Sequence, residues 1–276
     1  MNLVVQGDDV DTIALKSLAR AVGTSDIRQI HPQAFRLHGA SASDDVASIC
    51  AGARLDFAWI PDGLKLADFG LFVTDMDSTL IDIECIDEIA DMQGLKAEVA
   101  AITEASMRGE IDFGESLTRR VALLEGLSEN ALASVYEQRL RLNPGAERLL
   151  RGLKAAGIHT MLVSGGFTYF TDRLRERLGF DQACANALEV RDGHLTGRID
   201  GPMIDAQAKA TQLRRVRDSL GLNSAQVIAA GDGANDIPMF EAAGFSVAFR
   251  AKPVLRKVSS CCFDHVGLDG ILSLFE

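Results

Sequence analysis

Three apolar segments with the character of β-strands each end in a short polar loop, and this arrangement constrains the fold most strongly. The loops are TDMDST (74–79), VSGG (163–166) and GDGAND (231–236). Helical patterns separate the strands, which is typical of a doubly wound α/β fold with a parallel sheet. In such a sheet ligands bind beyond the carboxyl ends of the strands, so we expect the three loops to share one crevice.

The chain divides into three regions by pattern. Residues 1–68 alternate short apolar runs with two helical stretches and predict a small α+β domain. Residues 69–276 form the predicted α/β core. A helical segment over about residues 84–142 interrupts this core just after its first strand, and we interpret it as an insertion.

Local signals predict further elements in the second half of the core. Asn143 and Pro144 predict the start of a helix, with Asn143 as its N-cap residue. The segment ANALEVRDGHLTGRI has Asp192-Gly193 at its centre and predicts a β-hairpin. FSVAF at residues 245–249 predicts a short strand.

The composition restricts the classes of partner. The 276 residues carry a net charge of −11 with a pI near 5.0, which argues against nucleic acid or an anionic membrane as the main partner. No run of about 18 apolar residues is present, and the N-terminus lacks the pattern of a signal peptide. These features predict a cytoplasmic protein. The oligomeric state stays open, with a homodimer among the alternatives.

Asp75 and Asp77 follow the first strand of the core and carry the strongest chemical signal. On an extended segment their side chains project to the same side, where the two carboxylates would repel each other unless a cation lies between them. Capping of the following helix is the alternative function for such acids. Asp232 and Asp236 add oxygen ligands from the GDGAND loop, and such a set suits Mg²⁺.

The other loop residues suit the binding of a phosphoryl group. Ser164 and Gly165 offer a hydroxyl and backbone N–H groups at a strand end, although a glycine-rich turn is the more frequent explanation for VSGG alone. Lys209 begins a predicted helix, where a solvated lysine is the ordinary alternative. The four motifs together favour the phosphoryl site.

In this order, DMDST, VSGG, Lys209 and GDGAND resemble the four motifs of the haloacid dehalogenase-like (HAD) superfamily of aspartate-dependent phosphotransferases. Longer stretches, among them MDSTLIDIECIDEIA and AAGDGANDIPMFEAAG, resemble the phosphoserine phosphatase family over about residues 71–276. Residues 1–68 resemble, more faintly, an ACT-type regulatory domain.

The resemblance implies Mg²⁺-dependent hydrolysis of O-phospho-L-serine to L-serine and phosphate, the last step of serine biosynthesis. It implies that Asp75 is the nucleophile that forms an aspartyl-phosphate, and that Asp77 acts first as general acid and then as general base. The metal would be bound by the Asp75 side chain, the Asp77 backbone carbonyl and Asp232.

The resemblance also implies that the helical insertion is a cap that recognises the substrate. Glu84 would take the ammonium group and Arg120 the carboxylate, and Asp236 would support the loop. The implied substrate-binding residues are Glu84, Met107, Phe113, Arg120, Ser164, Gly165, Lys209 and Asn235.

Other functions stay open at this point. A HAD phosphatase could act on another small phosphate ester, such as phosphorylated homoserine or a sugar phosphate. A dehalogenase is disfavoured because Asp77 and Asp232 suit phosphoryl transfer, and a P-type ATPase is disfavoured because DMDST lacks its usual following residues. From a different class, the chain could be a non-catalytic amino-acid sensor that uses residues 1–68.

Overall fold

The computed structural model describes residues 1–275, and for Met107 it describes the backbone alone. In chain order the strands of these residues are β1 (Asn2–Gln6), β2 (Ile27–His31), β3 (Ala34–Leu37), β4 (Asp56–Ile60), β5 (Leu71–Thr74), β6 (His159–Phe167), β7 (Gln182–Arg191), β8 (His194–Asp200), β9 (Val227–Gly231), β10 (Phe245–Phe249) and β11 (Cys261–Phe263). They form one mixed sheet with the order β2-β3-β1-β4-β11-β10-β9-β5-β6-β7-β8.

The helices are α1 (Thr12–Ala21), α2 (Asp45–Ala53), α3 (Cys85–Met92), α4 (Lys96–Met107), α5 (Phe113–Ala122), α6 (Asn130–Gln138), α7 (Ala146–Ala155), α8 (Thr168–Leu178), α9 (Ala206–Ser219), α10 (Ile237–Ala242), α11 (Pro253–Arg256) and α12 (Gly270–Ser273). Across the described residues, none of these helices is long and apolar enough to cross a bilayer.

The first four strands and two helices form a βαββαβ unit. Its strands pair antiparallel in the order β2-β3-β1-β4, which is the ferredoxin-like arrangement. Asp11 caps α1 by accepting hydrogen bonds from the backbone N–H groups of Ile13 and Ala14. Leu18 packs with buried residues of β1 and β3 beneath the helices, so this unit has a hydrophobic core of its own.

The rest of the sheet is the predicted α/β core. Strands β11, β10, β9, β5, β6 and β7 run parallel, and β8 returns antiparallel after β7. Alternate residues of β5 face opposite sides: Phe72 packs in the cluster that contains α7 and α8, and Leu71 packs in the one that contains α9 and α10. Helices therefore cover both faces, and the predicted doubly wound fold is confirmed.

The βαββαβ unit is joined to the core through the sheet itself. Cys262 of β11 pairs with Phe57 of β4 in antiparallel orientation. Beside this pair, the buried carboxylate of Asp56 accepts hydrogen bonds of 2.9 Å from the backbone N–H groups of Asp264, His265 and Val266. Nothing in the sequence pattern predicts β11, because three residues are too few to show a periodicity.

Local predictions differ in their outcome. The hairpin is present, with positive φ at both Asp192 (51°) and Gly193 (75°), the geometry of a type I′ turn. The prediction of Asn143 as a helix N-cap is wrong, because α7 begins at Ala146 after Gly145, whose φ is 81°. The Asn143 side chain instead lies against the turn that follows β5.

Helices α3 to α6 form the insertion between β5 and α7. The chain leaves the core and returns to it along two antiparallel linkers. Asp82 N–H donates to the Arg141 carbonyl at 3.0 Å, and Asn143 N–H donates to the Leu80 carbonyl at 2.9 Å. The predicted domain boundaries at residues 68, 84 and 142 stay predictions.

Candidate active site

The three polar loops meet because their strands are neighbours. In the sheet, β5 lies between β6 and β9, and all three are parallel, so their carboxyl ends lie at the same edge. Asp75 follows β5, Ser164 lies near the end of β6, and Asp232 follows β9. The backbone N–H of Asp75 donates to the Ala230 carbonyl at 3.0 Å, which ties the first loop to the third.

A cluster of three buried carboxylates lies at the centre of this edge. Oxygen atoms of Asp75, Asp232 and Asp236 lie within 4.8 Å of one another. Burial raises the pKa of Asp75 to about 8, and the charges of Asp236 and Asp232 contribute to this rise. The charge of Lys209 acts in the opposite direction and lowers the pKa. Burial also raises the pKa of Asp232 to about 6, with the charges of Asp236 and Glu84 adding to the effect. Such mutual repulsion is what a bound cation relieves.

The hydrogen bonds show which of the three carboxylates have oxygen atoms available for a metal ion. Asp236 has both oxygens engaged: Oδ1 accepts from Lys209, and Oδ2 accepts from the backbone N–H groups of Asp232 and Gly233. Asp75 Oδ2 accepts one long bond of 3.4 Å from Asn235, and Asp232 Oδ1 accepts one of 3.3 Å from Thr79. Asp75 and Asp232 therefore fit a hard divalent cation best, with Asp236 holding the loop.

Lys209 lies in the same cluster. Its side chain is buried, and Nζ lies 2.8 Å from Asp75 Oδ1 and 2.9 Å from Asp236 Oδ1. Burial opposes the charge of Lys209, but Asp236 and Asp75 outweigh it and raise the pKa above its ordinary value. The lysine enters the site from the first turn of α9, where Asp205 caps the helix through the Ala208 N–H.

Asp77 lies beside this cluster in a different environment. Its Oδ1 is buried and has no hydrogen-bond partner among the described residues. Burial and the charges of Glu84 and Asp75 raise its pKa well above the ordinary value. Hydrogen bonds from Cys85 act in the opposite direction and lower the pKa. A raised pKa favours the protonated form of a carboxyl group, which suits a general acid.

The VSGG loop approaches both aspartates closely. Ser164 is buried, and its Oγ accepts a hydrogen bond of 2.9 Å from Gly166 N–H. A Cβ atom on Gly166 would lie 2.9 Å from Met76 Cε and 3.0 Å from Asp77 Oδ2. Glycine therefore allows the loop to lie against the DMDST segment, and a larger residue would displace these side chains.

The helical insertion covers this edge of the sheet. Phe113, at the start of α5, lies over the VSGG loop, since a Cβ atom on Gly165 would be 3.2 Å from its ring. Glu84 is exposed, and its Oε1 accepts a hydrogen bond of 2.8 Å from Ser78 Oγ. Ser78 has a positive φ of 55°, an uncommon conformation for a residue other than glycine. Met107 ends α4, and its side chain lies outside the described part of the structure.

The two consecutive arginines of α5 lie on different faces of the helix, as adjacent residues of a helix do. Arg119 pairs with Glu115 on the exposed surface. Arg120 is half-buried, and desolvation lowers its pKa. The negative charges of Asp87, Glu84 and Asp77 act in the opposite direction and raise the pKa. Arg120 therefore lies in the electric field of the acidic side chains around the site.

Three residues at this edge were not predicted from the sequence. Thr79 is buried and donates to Asp232, and its position in DMDST is the signal that could have indicated it. Asn186 is buried and donates to the Gly165 carbonyl at 2.8 Å, and its signal is the CANALEV segment. Asn143 donates to the Thr79 carbonyl, and no sequence signal indicated that contact.

Comparison with protein families agrees with this fold. A family model described as haloacid dehalogenase-like hydrolase matches residues 72–241, and a domain of unknown function (DUF4072) matches residues 3–48. The chain therefore belongs to the haloacid dehalogenase-like hydrolases.

The individual relatives include phosphoserine phosphatases. A phosphoserine phosphatase of Polaromonas sp. is 55% identical over 221 residues, which are 78% of this chain and 93% of the relative. A HAD family hydrolase of Salmonella enterica serovar Typhi superposes with a TM-score of 0.91 at 32% identity, over 100% of this chain and 98% of that one. A probable phosphoserine phosphatase of Vibrio cholerae gives 0.88 at 35% identity, over 99% and 86%. The resemblance to phosphoserine phosphatases predicted from the sequence is confirmed.

Proposed function

We propose that the chain hydrolyses O-phospho-L-serine to L-serine and phosphate, with Mg²⁺ and an aspartyl-phosphate at Asp75. The observation that carries this proposal is the shared edge at which Asp75, Asp77 and Lys209 lie together beneath a cap that bears Glu84 and Arg120. The relatives named phosphoserine phosphatase support the choice of substrate.

In the first half of the reaction, a carboxylate oxygen of Asp75 attacks phosphorus and the bond from phosphorus to the serine oxygen breaks. Asp77 gives its proton to the departing alkoxide, so that serine leaves as an alcohol. Ser164, the backbone of Gly165 and Lys209 donate hydrogen bonds to the phosphoryl oxygens as negative charge redistributes.

In the second half, the ionised Asp77 takes a proton from water, whose oxygen attacks phosphorus. The bond from phosphorus to the Asp75 oxygen breaks, which releases phosphate and restores the carboxylate. The Asp75 side chain, the Asp77 backbone carbonyl and Asp232 would hold Mg²⁺, which supplies positive charge that offsets repulsion between carboxylate and phosphate.

The cap provides the proposed specificity. Glu84 would pair with the substrate ammonium, and Arg120 would take the carboxylate in a bidentate geometry that lysine does not reproduce. Phe113 and Met107 would provide apolar contacts, and Asn235 and Asp236 would hold the loop around Asp75.

The test is phosphate release from O-phospho-L-serine by the purified chain, with and without EDTA, next to a panel of phosphate esters. We expect metal-dependent turnover that Asp75→Asn abolishes. Turnover of a sugar phosphate or phosphorylated homoserine without turnover of phosphoserine would reject the substrate but keep the enzyme class. Full activity in EDTA would reject the metal.

A further inference from the structure

Asn143 occupies the point where the cap returns to the core. It lies on the returning linker, directly opposite the turn Met76–Leu80 that follows the nucleophile. The residue is 5% exposed, so its amide has to find partners inside the protein.

The amide of Asn143 joins the two linkers. Nδ2 donates to the backbone carbonyls of Thr79 at 2.8 Å and Ile81 at 3.0 Å. Its backbone N–H donates to the carbonyl of Leu80, which lies between them. Three consecutive carbonyl groups of the outgoing linker are therefore held by one residue of the returning linker.

These contacts continue towards the carboxylates. Thr79, whose carbonyl Asn143 holds, donates through Oγ1 to Asp232. On the other side, Asn143 Oδ1 accepts a hydrogen bond of 3.4 Å from the side chain of Arg250. Two residues further along the chain, the backbone N–H of Lys252 donates to the Asp232 carbonyl at 2.8 Å. A displacement of Asn143 would therefore reach Asp232 along two routes.

We propose that Asn143 is a positioning residue for the phosphatase reaction: its amide holds the end of the DMDST loop against the returning linker, so that Asp75 and Asp232 keep their positions. This inference rests on the proposed function in that it concerns the hydrolysis of a phosphate ester. It does not depend on which ester is the physiological one.

Asn143→Asp is the sharpest test, because it keeps the shape of the side chain but replaces the Nδ2 donor with an oxygen that faces two carbonyls. We expect kcat to fall about tenfold or more with both p-nitrophenyl phosphate and O-phospho-L-serine, with KM changed less than about threefold. Asn143→Ala should behave in the same way. Arg250→Ala, which removes only the long bond to Asn143 Oδ1, should lower kcat less than Asn143→Asp does, since both Nδ2 donations to the linker remain.

Folding and positioning are separated by a control and a second readout. Asn223→Ala removes the side-chain cap of a short turn, Ser224–Gln226, outside the site, and it should leave kcat per folded molecule unchanged. Hydrogen exchange of the native protein should show faster exchange in residues 75–82 of Asn143→Asp. This readout applies even if the chain hydrolyses neither ester.

The inference is overturned if folded Asn143→Asp keeps kcat within about twofold of the wild type and exchange in residues 75–82 is unchanged. It is also overturned if Asn143→Asp and Asn223→Ala lose activity only in proportion to their unfolded fractions. A wild-type protein that cleaves p-nitrophenyl phosphate but not phosphoserine would reject the proposed substrate alone.

Discussion

Asp75 and Asp77 carry the same functional group, yet their surroundings give them different chemistry. Asp75 contacts Lys209 and lies close to Asp232, and a cation between Asp75 and Asp232 would lower its pKa from about 8 and keep it ionised as a nucleophile must be. The Asp77 side chain does not contact Lys209 in this way, and burial and the charge of Glu84 raise its pKa, which favours the protonated form. The proposed roles of Asp75 as nucleophile and Asp77 as acid therefore follow from the neighbours of each group.

The effect of Glu84 on Asp77 predicts a shift in the pH profile. Asp77 is the acid only while protonated, and the negative charge of Glu84 raises its pKa, so Glu84→Gln should lower that pKa. The alkaline limb of kcat against pH should move to lower pH. The measurement uses an alkyl phosphate without an ammonium group, such as glycerol 3-phosphate, because its alkoxide leaving group needs the proton of Asp77 and it offers Glu84 no ammonium to bind. Asp87→Asn is the control, and an unshifted limb in Glu84→Gln would contradict the prediction.

The adjacent arginines offer a matched pair for substrate recognition. Arg120→Ala should lower kcat/KM for O-phospho-L-serine about 10- to 100-fold, because a hydrogen bond to a charged group contributes about 1.5–3 kcal/mol. It should change p-nitrophenyl phosphate turnover little, since that ester has no carboxylate. Arg119→Ala, which removes only the surface pair with Glu115, should leave both substrates unaffected. Equal losses on the two esters would remove Arg120 from the recognition of the amino-acid head group.

At the scale of elements, sequence patterns predicted the turns and strands whose conformation depends on residues that are neighbours in the chain. Asp192-Gly193 indicated the hairpin because few other residues accept two consecutive positive φ angles, and FSVAF coincides with β10. Polar loops at three strand ends indicated the site because parallel topology brings such ends together. Contacts that depend on tertiary structure were missed: β11 is defined by its neighbours, and Asn143 by the linker opposite.

The close approach of two elements predicts a strong effect of one methyl group. Gly166→Ala would place Cβ within 3.0 Å of the Met76 and Asp77 side chains. The added methyl group would push the Asp77 carboxyl group out of the position from which it transfers a proton. We therefore expect kcat to fall at least about tenfold on any phosphate ester. Gly52→Ala in α2 is the control, since a Cβ there has no neighbour within 4 Å. Wild-type kcat in a folded Gly166→Ala protein would contradict the close packing.

At the scale of the whole molecule, the proposed catalytic groups lie on the core, while the βαββαβ unit extends the same sheet. The HAD family match begins at residue 72, whereas the Salmonella hydrolase superposes over the entire chain. The arrangement of both parts is therefore shared with a solved structure. Because β4 and β11 are paired, we expect the two parts to unfold together.

The junction at Asp56 tests this coupling. Asp56→Ala would leave the N–H groups of Asp264, His265 and Val266 without their acceptor, at a cost of about 2–4 kcal/mol in the free energy of unfolding. Thermal unfolding of the wild type should show one transition, and Asp56→Ala should lower its midpoint or divide it in two. The kcat at 25 °C should be retained, because the carboxylate cluster lies at the strand ends of the core. Asp62→Ala, which removes an exposed ion pair with the N-terminus, should shift the midpoint little. An Asp56→Ala protein as stable as the wild type would show that the sheet pairing alone joins the two parts.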